Sequence, residues 1–444
     1  MKLSELREFY CGKRVLVTGH TGFKGSWLCA VLSLCGTEVY GYSQKPPTKP
    51  SLFEVLYGEG AGDATQENLF IRQTASAAQE KAAGAEAGNS AAAAAGAGQQ
   101  PLGLAVSHIG DIRDFDELLR FYKEVQPDCV FHLAAQPIVR DSYRIPRETY
   151  ETNVMGTVNL LECLRLVPGC RSFLNVTTDK VYLNEERPGY GYREDDKLDG
   201  YDPYSNSKSC SELVTHSYVH SFFEQTAARG VQPKAGRTPE VAVKESLCGA
   251  DGNAGGASAE GDAGMENACA VPAVSTARAG NVIGGGDFAN DRIIPDCIRA
   301  AERGADIILR NPNSTRPYQH VLEPLAVYLT IVMRQAQRAE FAGWYNVGPD
   351  DCDCVTTGEL ADLFVRFWGE GIKWNCSGHQ DGPHEANFLK LDNRKIKETF
   401  GWEPVWHIEQ AVSAVVSWQK ALRGGGAEAA NAELLRQIGA YLSE

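Results

Sequence analysis

Thr178-Asp179-Lys180 and, further along, Tyr204-Ser205-Asn206-Ser207-Lys208 are the residues whose types and spacing fit chemistry. The second group is a Tyr-x-x-x-Lys pair, and on a helix that spacing brings both side chains to one face. A cation beside a phenol favours the phenolate, so Lys208 is expected to lower the proton affinity of Tyr204. Such a tyrosine can take a proton from a hydroxyl while a hydride leaves the same carbon. The first group adds a hydroxyl, an acid and a second base. Hydride transfer alone does not call for them. Oxidation followed by loss of water does.

A hydride needs an acceptor, and the start of the chain reads as a place to hold one. Residues 14–18 (RVLVT) form an apolar run of strand type, and Gly19-x-x-Gly22-x-x-Gly25 follows. An apolar helix is expected from Ser26 to about Cys35, then a second strand over 38–42. In this β-α-β setting Gly19 permits a tight turn, Gly22 lets backbone approach a pyrophosphate, and Gly25 lets the helix pack closely. The helix N-terminus favours the phosphate charge. Further strands are expected at 128–133, 172–177 and 273–278, with helices between them that include 151–167 and 204–225. Strands alternating with helices predict an α/β fold, a Rossmann-type doubly wound parallel sheet.

The chain has 444 residues, 43% hydrophobic and 23% charged, which suits a globular protein with more than one domain. Its formal net charge of −14 argues against a nucleic-acid partner. No apolar run is long enough to span a membrane, and the N-terminus lacks a signal-peptide pattern, so a cytoplasmic protein with reduced cysteines is expected. Cys352 and Cys354 have no His or Cys group at zinc-ligand spacing, so no metal site is expected. Two low-complexity insertions, about 58–104 and 226–270, are most biased at 75–100 and 248–267 and read as surface loops, the Ala-rich one with an option on helix. The expected domains are 1–275, binding the dinucleotide, and 276–444, a smaller α/β domain mainly binding substrate, with some chain returning to the first.

Order and spacing of motifs resemble the extended branch of the short-chain dehydrogenases/reductases, the NAD-dependent epimerases and dehydratases. Gly19-His20-Thr21-Gly22-Phe23-Lys24-Gly25-Ser26-Trp27, Gly110-Asp111-Ile112, Leu133-Ala134-Ala135-Gln136 and Asn153 carry the cofactor side of the resemblance. It implies NAD contacts from Gly19, Thr21, Gly22, Phe23, Gly25, Asp111, Ile112, Ala134, Ala135, Gln136, Asn153, Tyr204 and Lys208. Two of these have plain readings too: Asp111 as the cap of a helix over 112–124, Asn153 as a helix surface residue. The second strand runs Tyr40-Gly41-Tyr42-Ser43 without the acid that would hold the adenosine ribose, and the nearest cation is Lys45, so that strand does not choose between NAD and NADP.

Within that branch, sugar-nucleotide 4,6-dehydratases follow a Ser or Thr with Asp and a base, and the CDP-glucose enzymes have Lys where others have Glu. Thr178, Asp179 and Lys180 are similar to that set. Pro47–Glu54, Gln136–Tyr143, Ala279–Asp287 and Arg316–Val321 resemble the same enzymes. The resemblance implies CDP-glucose as substrate, held by Asn281 and Arg316, with Arg292 and Arg310 as weaker candidates whose plain reading is surface ion pairing. It also implies a homodimer or homotetramer built on a helical face that includes the Tyr204 helix. Trp344, Trp374, Trp402 and Trp406 read as core residues before cytosine platforms, and His320 and His384 as structural histidines. The implied catalytic set is Thr178, Asp179, Lys180, Tyr204 and Lys208. Removal of water demands a neutral Lys180 and a protonated Asp179, and an ion pair between them would oppose both states. A 4-epimerase needs the Tyr/Lys pair without Asp179-Lys180, and a non-catalytic dinucleotide-binding regulator needs neither.

Overall fold

The computed structural model describes residues 2–72, 102–187, 189–224, 271–376 and 388–443. Its main sheet has eight strands: β1 (Arg14–Thr18), β2 (Glu38–Ser43), β3 (Gln66–Phe70), β4 (Gly103–Ile109), β5 (Cys129–His132), β6 (Ser172–Thr178), β7 (Ala273–Ala279) and β12 (Trp344–Val347). The smaller strands are β8 (Val282–Ile283), β9 (Ile307–Leu309), β10 (Thr315–Pro317), β11 (Gln319–His320), β13 (Cys354–Thr356) and β14 (Trp374–Cys376). The order across the main sheet is β12-β7-β6-β5-β1-β2-β4-β3. All its pairings are parallel except β3 with β4. The chain leaves β1 towards β2 and β4, then returns to the other side of β1 with β5. That reversal opens a crevice at the carboxyl ends of β1 and β5, the usual ligand position in such sheets.

Both faces of the sheet are covered, which is why β5, β6 and β7 are buried along their whole length. One face carries α1 (Leu3–Tyr10), α2 (Phe23–Leu34), α3 (Leu52–Tyr57), α10 (Leu322–Gln337) and the end of the long helix α13 (Ile408–Tyr441). The other carries α4 (Phe115–Val125), α7 (Gly156–Leu166) and α8 (Pro203–Tyr218). The short helices α5 (Val139–Arg144) and α6 (Pro146–Tyr150) lead into a π turn over Glu151–Met155 and then α7. A smaller core gathers α9 (Ile293–Glu302), α11 (Thr357–Trp368), β9 and the first half of α13, while α12 (Arg394–Phe400) packs beside β12.

Strands 14–18, 38–42, 128–133, 172–177 and 273–278 lie within about two residues of the observed bounds at either end. The helix expected from Ser26 begins earlier, at Phe23. Asp111 does not cap a helix over 112–124. Asp114 does, accepting from the Glu117 N–H at the start of α4. Residues 66–70 and 103–104, counted into the first insertion, belong to the sheet: β3 pairs antiparallel with β4 at its edge, where a polar sequence is tolerated. The stretches 75–100 and 248–267, and His384, lie outside the described residues. Among the described residues no helix is long and apolar enough to cross a membrane, and every cysteine is free.

Candidate active site

A cavity of about 1300 Å³ runs from the turn after β1, past the ends of β5 and β6, to the segment after β7. Its near end is built by glycine. Gly19 has φ +75°, and a Cβ there would stand 2.7 Å from the Ala134 nitrogen, while a Cβ on Gly25 would stand 2.1 Å from the Gly19 oxygen. The β1 turn, the β5 end and α2 therefore touch backbone to backbone. No side chain caps α2, so its first N–H groups are free for an anion. Gly19, Thr21, Gly22, Phe23, Gly25, Asp111, Ile112, Ala134 and Ala135 all line the cavity.

Gln136 and Asn153 do not line it. They bond to each other behind it: Asn153 Oδ1 accepts from the Gln136 N–H at 2.8 Å, and Asn153 Nδ2 donates to the Gln136 carbonyl at 3.1 Å and to Ser207 Oγ at 2.8 Å. Asn153 is buried, so the surface reading fails, and its bonds tie the β5 loop to α8. At the end of β2, a Cβ on Gly41 would overlap the His20 ring at 2.3 Å. Asp111 lies at the cavity edge, where Gln44 Nε2 donates to it at 2.8 Å and Arg113 forks onto it.

The reacting groups stand at the end of β6 and on α8. Pro203 at the first helical position and the Asp202 side chain, accepting from the Ser205 N–H, start α8 so that Tyr204 and Lys208 face the cavity. Lys208 Nζ donates to the Val176 carbonyl at 3.1 Å. Burial lowers its pKa to about 8, and Lys24 pushes in the same direction. Burial raises Tyr204 to about 12, against a hydrogen bond with Thr178. Desolvation dominates Tyr204 in the protein alone, and what opposes it is the Thr178 hydrogen bond and Arg292 rather than the expected Lys208.

Thr178 Oγ1 donates to Asp179 Oδ1 at 2.9 Å and accepts from the Lys180 N–H at 3.4 Å. Asp179 Oδ2 is buried with no hydrogen-bond partner. Burial raises the Asp179 pKa, with Lys180, Thr178, Arg316 and Lys24 pulling it down. Asp179 and Lys180 form no ion pair. The charge of Lys180 still favours the Asp179 carboxylate without a direct contact, but burial outweighs it.

Asn281, Arg292, Arg310 and Arg316 line the far end. Arg292 pairs with Asp287 at 2.9 Å and Arg310 with Asp291 at 3.3 Å, while the guanidinium of Arg140 stands 3.6 Å from Asp291. Arg316 is buried and donates to its neighbour's carbonyl, Thr315, at 3.0 Å. Planar forks gathered at one end of a cleft suit a diphosphate. None of Trp344, Trp374, Trp402 and Trp406 lines the cavity. His320 packs between Trp27 and Trp406, and burial lowers its pKa to about 3.

The cavity also holds Lys24, Arg140 and Asp287, to which the sequence reading gave no role. Lys24 sits inside the glycine turn itself, which is the signal for it. Cys352, Asp353 and His407 offer ligand atoms within 4.8 Å of one another, a grouping that sequence spacing hides because His407 is remote. Asp353 there serves the start of α13, accepting from the Ile408 N–H at 2.9 Å and bonding His407 at 2.8 Å.

Residues 15–233 match the model of the NAD dependent epimerase/dehydratase family. A CDP-glucose 4,6-dehydratase of Salmonella typhimurium is 39% identical over 420 residues, 94% of either chain. This chain belongs to the NAD dependent epimerase/dehydratase family. A GDP-mannose 4,6-dehydratase of Yersinia enterocolitica is 33% identical over 214 residues, 47% of this chain and 46% of that one. Two solved structures of the epimerase/dehydratase type share the fold. A dTDP-glucose 4,6-dehydratase of Bacillus anthracis in complex with NAD has a TM-score of 0.58 at 19% identity, over 91% of this chain and 96% of that one. A UDP-glucose 4-epimerase of Thermus thermophilus in complex with NAD has a TM-score of 0.61 at 19% identity, over 93% and 99%.

Proposed function

We propose that this protein converts CDP-glucose into CDP-4-keto-6-deoxyglucose, with NAD bound throughout. The observation that carries the reading is the joint presence, on one cavity wall, of Tyr204, Lys208, Thr178, Lys180 and an Asp179 whose Oδ2 has no partner. An epimerase has no use for the last two. Lys at position 180, in a chain 39% identical to a CDP-glucose 4,6-dehydratase, favours the cytidine-linked sugar.

NAD would be held by the free N–H groups of α2, the backbone at Gly19 and Ala134, and the Asp111 edge; when bound it supplies a hydride acceptor and donor and a positive ring. Thr178 orients the sugar 4-hydroxyl, and Tyr204 takes its proton as C4 is oxidised. The 4-ketone acidifies the C5 proton, which Lys180 removes. Asp179 gives its proton to the 6-hydroxyl, which leaves as water; the hydride taken from C4 would return to C6 and Lys180 would give its proton back to C5, which completes the 6-deoxy product. Arg292, Arg310, Arg316 and Asn281 hold the diphosphate and nucleoside end. The protein works in the cytoplasm as a homodimer or homotetramer. Exposed Tyr150, Met155, Leu213 and Phe222 on neighbouring helices support a helical contact face, and a monomer by light scattering would refute it.

The test is incubation with CDP-, dTDP-, GDP- and UDP-hexoses while following the alkaline absorbance of the 4-keto product. Product from the CDP sugar above the others is expected, and none from it would overturn the reading. With CDP-glucose deuterated at C5, Lys180→Met is expected to stop release of deuterium to solvent.

A further inference from the structure

Cys352, Asp353 and His407 meet where α13 enters the smaller core, and none of them lines the active cavity. Asp353 is buried, and the Ile408 N–H holds its Oδ1 at 2.9 Å. Its Oδ2 stands 2.8 Å from His407 Nδ1 and 3.7 Å from Cys352 Sγ. Zinc bonds of about 2.0 Å to nitrogen and oxygen and about 2.3 Å to sulfur set tetrahedral ligands about 3.3–3.6 Å apart. Both separations lie within about 0.5 Å of those edges. All three ligand atoms lie within 4.8 Å of one another, and Cys352 and His407 are exposed, so their side chains have room to close the last edge. The nearby carboxylates of Asp350 and Asp351 are paired with Lys397 and Lys390. Among the described residues, Asp353 faces no cation other than His407.

We propose that Cys352, Asp353 and His407 form a binding site for one zinc-class divalent ion, with a fourth position left to water, which fastens the turn before β13 to the start of α13. A thiolate and an imidazole select a borderline ion such as zinc over calcium or magnesium, which take oxygen ligands. The thiol gives up its proton on binding, and the ring binds in its neutral form. The Ile408 N–H orients the carboxylate from behind, as groups bonded to metal ligands do. His407 also caps α13, since its side chain accepts from the Gln410 N–H. A cap alone needs no thiol, and that separates the two roles.

The test titrates cobalt(II) into the full-length, untagged, reduced protein after chelation, without any nucleotide, so its outcome is independent of the substrate reading. A near-ultraviolet thiolate-to-cobalt charge-transfer band that saturates at one equivalent and is displaced by zinc is expected. Cys352→Ser is expected to abolish the band. His407→Asn, which keeps a good helix cap, is expected to raise the Kd by about tenfold or more. Zinc should raise the melting temperature of the native protein and leave that of Cys352→Ser unchanged. Circular dichroism and Cys352→Ala guard against a folding effect of one substitution. No saturating band in the native protein, or an unchanged band in Cys352→Ser, would overturn the proposal and leave a capped helix end.

Discussion

Asp179 has one oxygen engaged by Thr178 and one facing the cavity without a partner, and Gly280 leaves it room. A Cβ on Gly280 would stand 3.2 Å from Asp179 Oδ2. Asp179→Asn keeps the shape and removes the proton. Reduction of bound NAD by CDP-glucose should survive in this variant while release of water slows by about 10²-fold or more, read by single-turnover absorbance against product formation. Equal loss of both steps would refute the division of labour. These residues were legible because their roles are local in sequence: a Tyr-x-x-x-Lys pair and a tripeptide. Their ionisation was not. Whether burial or a neighbouring charge wins at Tyr204 depends on how much protein surrounds the phenol, and spacing along the chain does not encode that. Lys24 shows the same limit, since its neighbours Asp179, Lys208 and Asp287 come together only through the fold.

Strand β6 and helix α8 carry the reacting groups, and a buried ion pair locks them to β7. Glu212 on α8 and Arg278 on β7 are fully buried with a separation of 3.0 Å. Glu212 also accepts from the hydroxyls of Thr177 and Thr276, and Arg278 donates to Tyr182 Oη at 2.7 Å. Removing one member strands the other charge. Arg278→Met is expected to lower stability by about 3–5 kcal/mol, measured by urea unfolding, and adding Glu212→Gln should restore part of the loss. A double variant as unstable as the sum of the singles would show that the two charges do not act together. Five strands of the parallel sheet, β1, β2, β5, β6 and β7, could be read from apolar runs because both faces are covered, while β4 and β12 were not read. Helices α1 and α3 and strand β3 could not: they are short, and β3 has a single buried residue in five.

Across the whole molecule, the end of the chain is tied back to the sheet through Glu323 on α10. Its carboxylate accepts from the Val405 N–H at 3.0 Å, the Trp406 N–H at 2.6 Å and the Tyr441 hydroxyl at 2.9 Å. It thus fastens both ends of α13, which breaks at Gly426 (φ +66°) into two helical arms, the first packed in the smaller core and the second in the larger. Burial raises the Glu323 pKa to about 7 from an ordinary 4.5, and these hydrogen bonds only partly oppose it. The folded chain therefore binds this proton more tightly than the unfolded one. The stability it contributes is complete below the unfolded pKa and is lost as pH rises through the folded pKa. Glu323→Gln has no proton to lose. The melting temperature of the native protein minus that of the variant should fall as pH rises from about 5 to 8, by an amount equivalent to about 1–3 kcal/mol. A difference that stays flat over this range would mean that the carboxyl stays charged beneath α13, held by its three donors against the cost of burial.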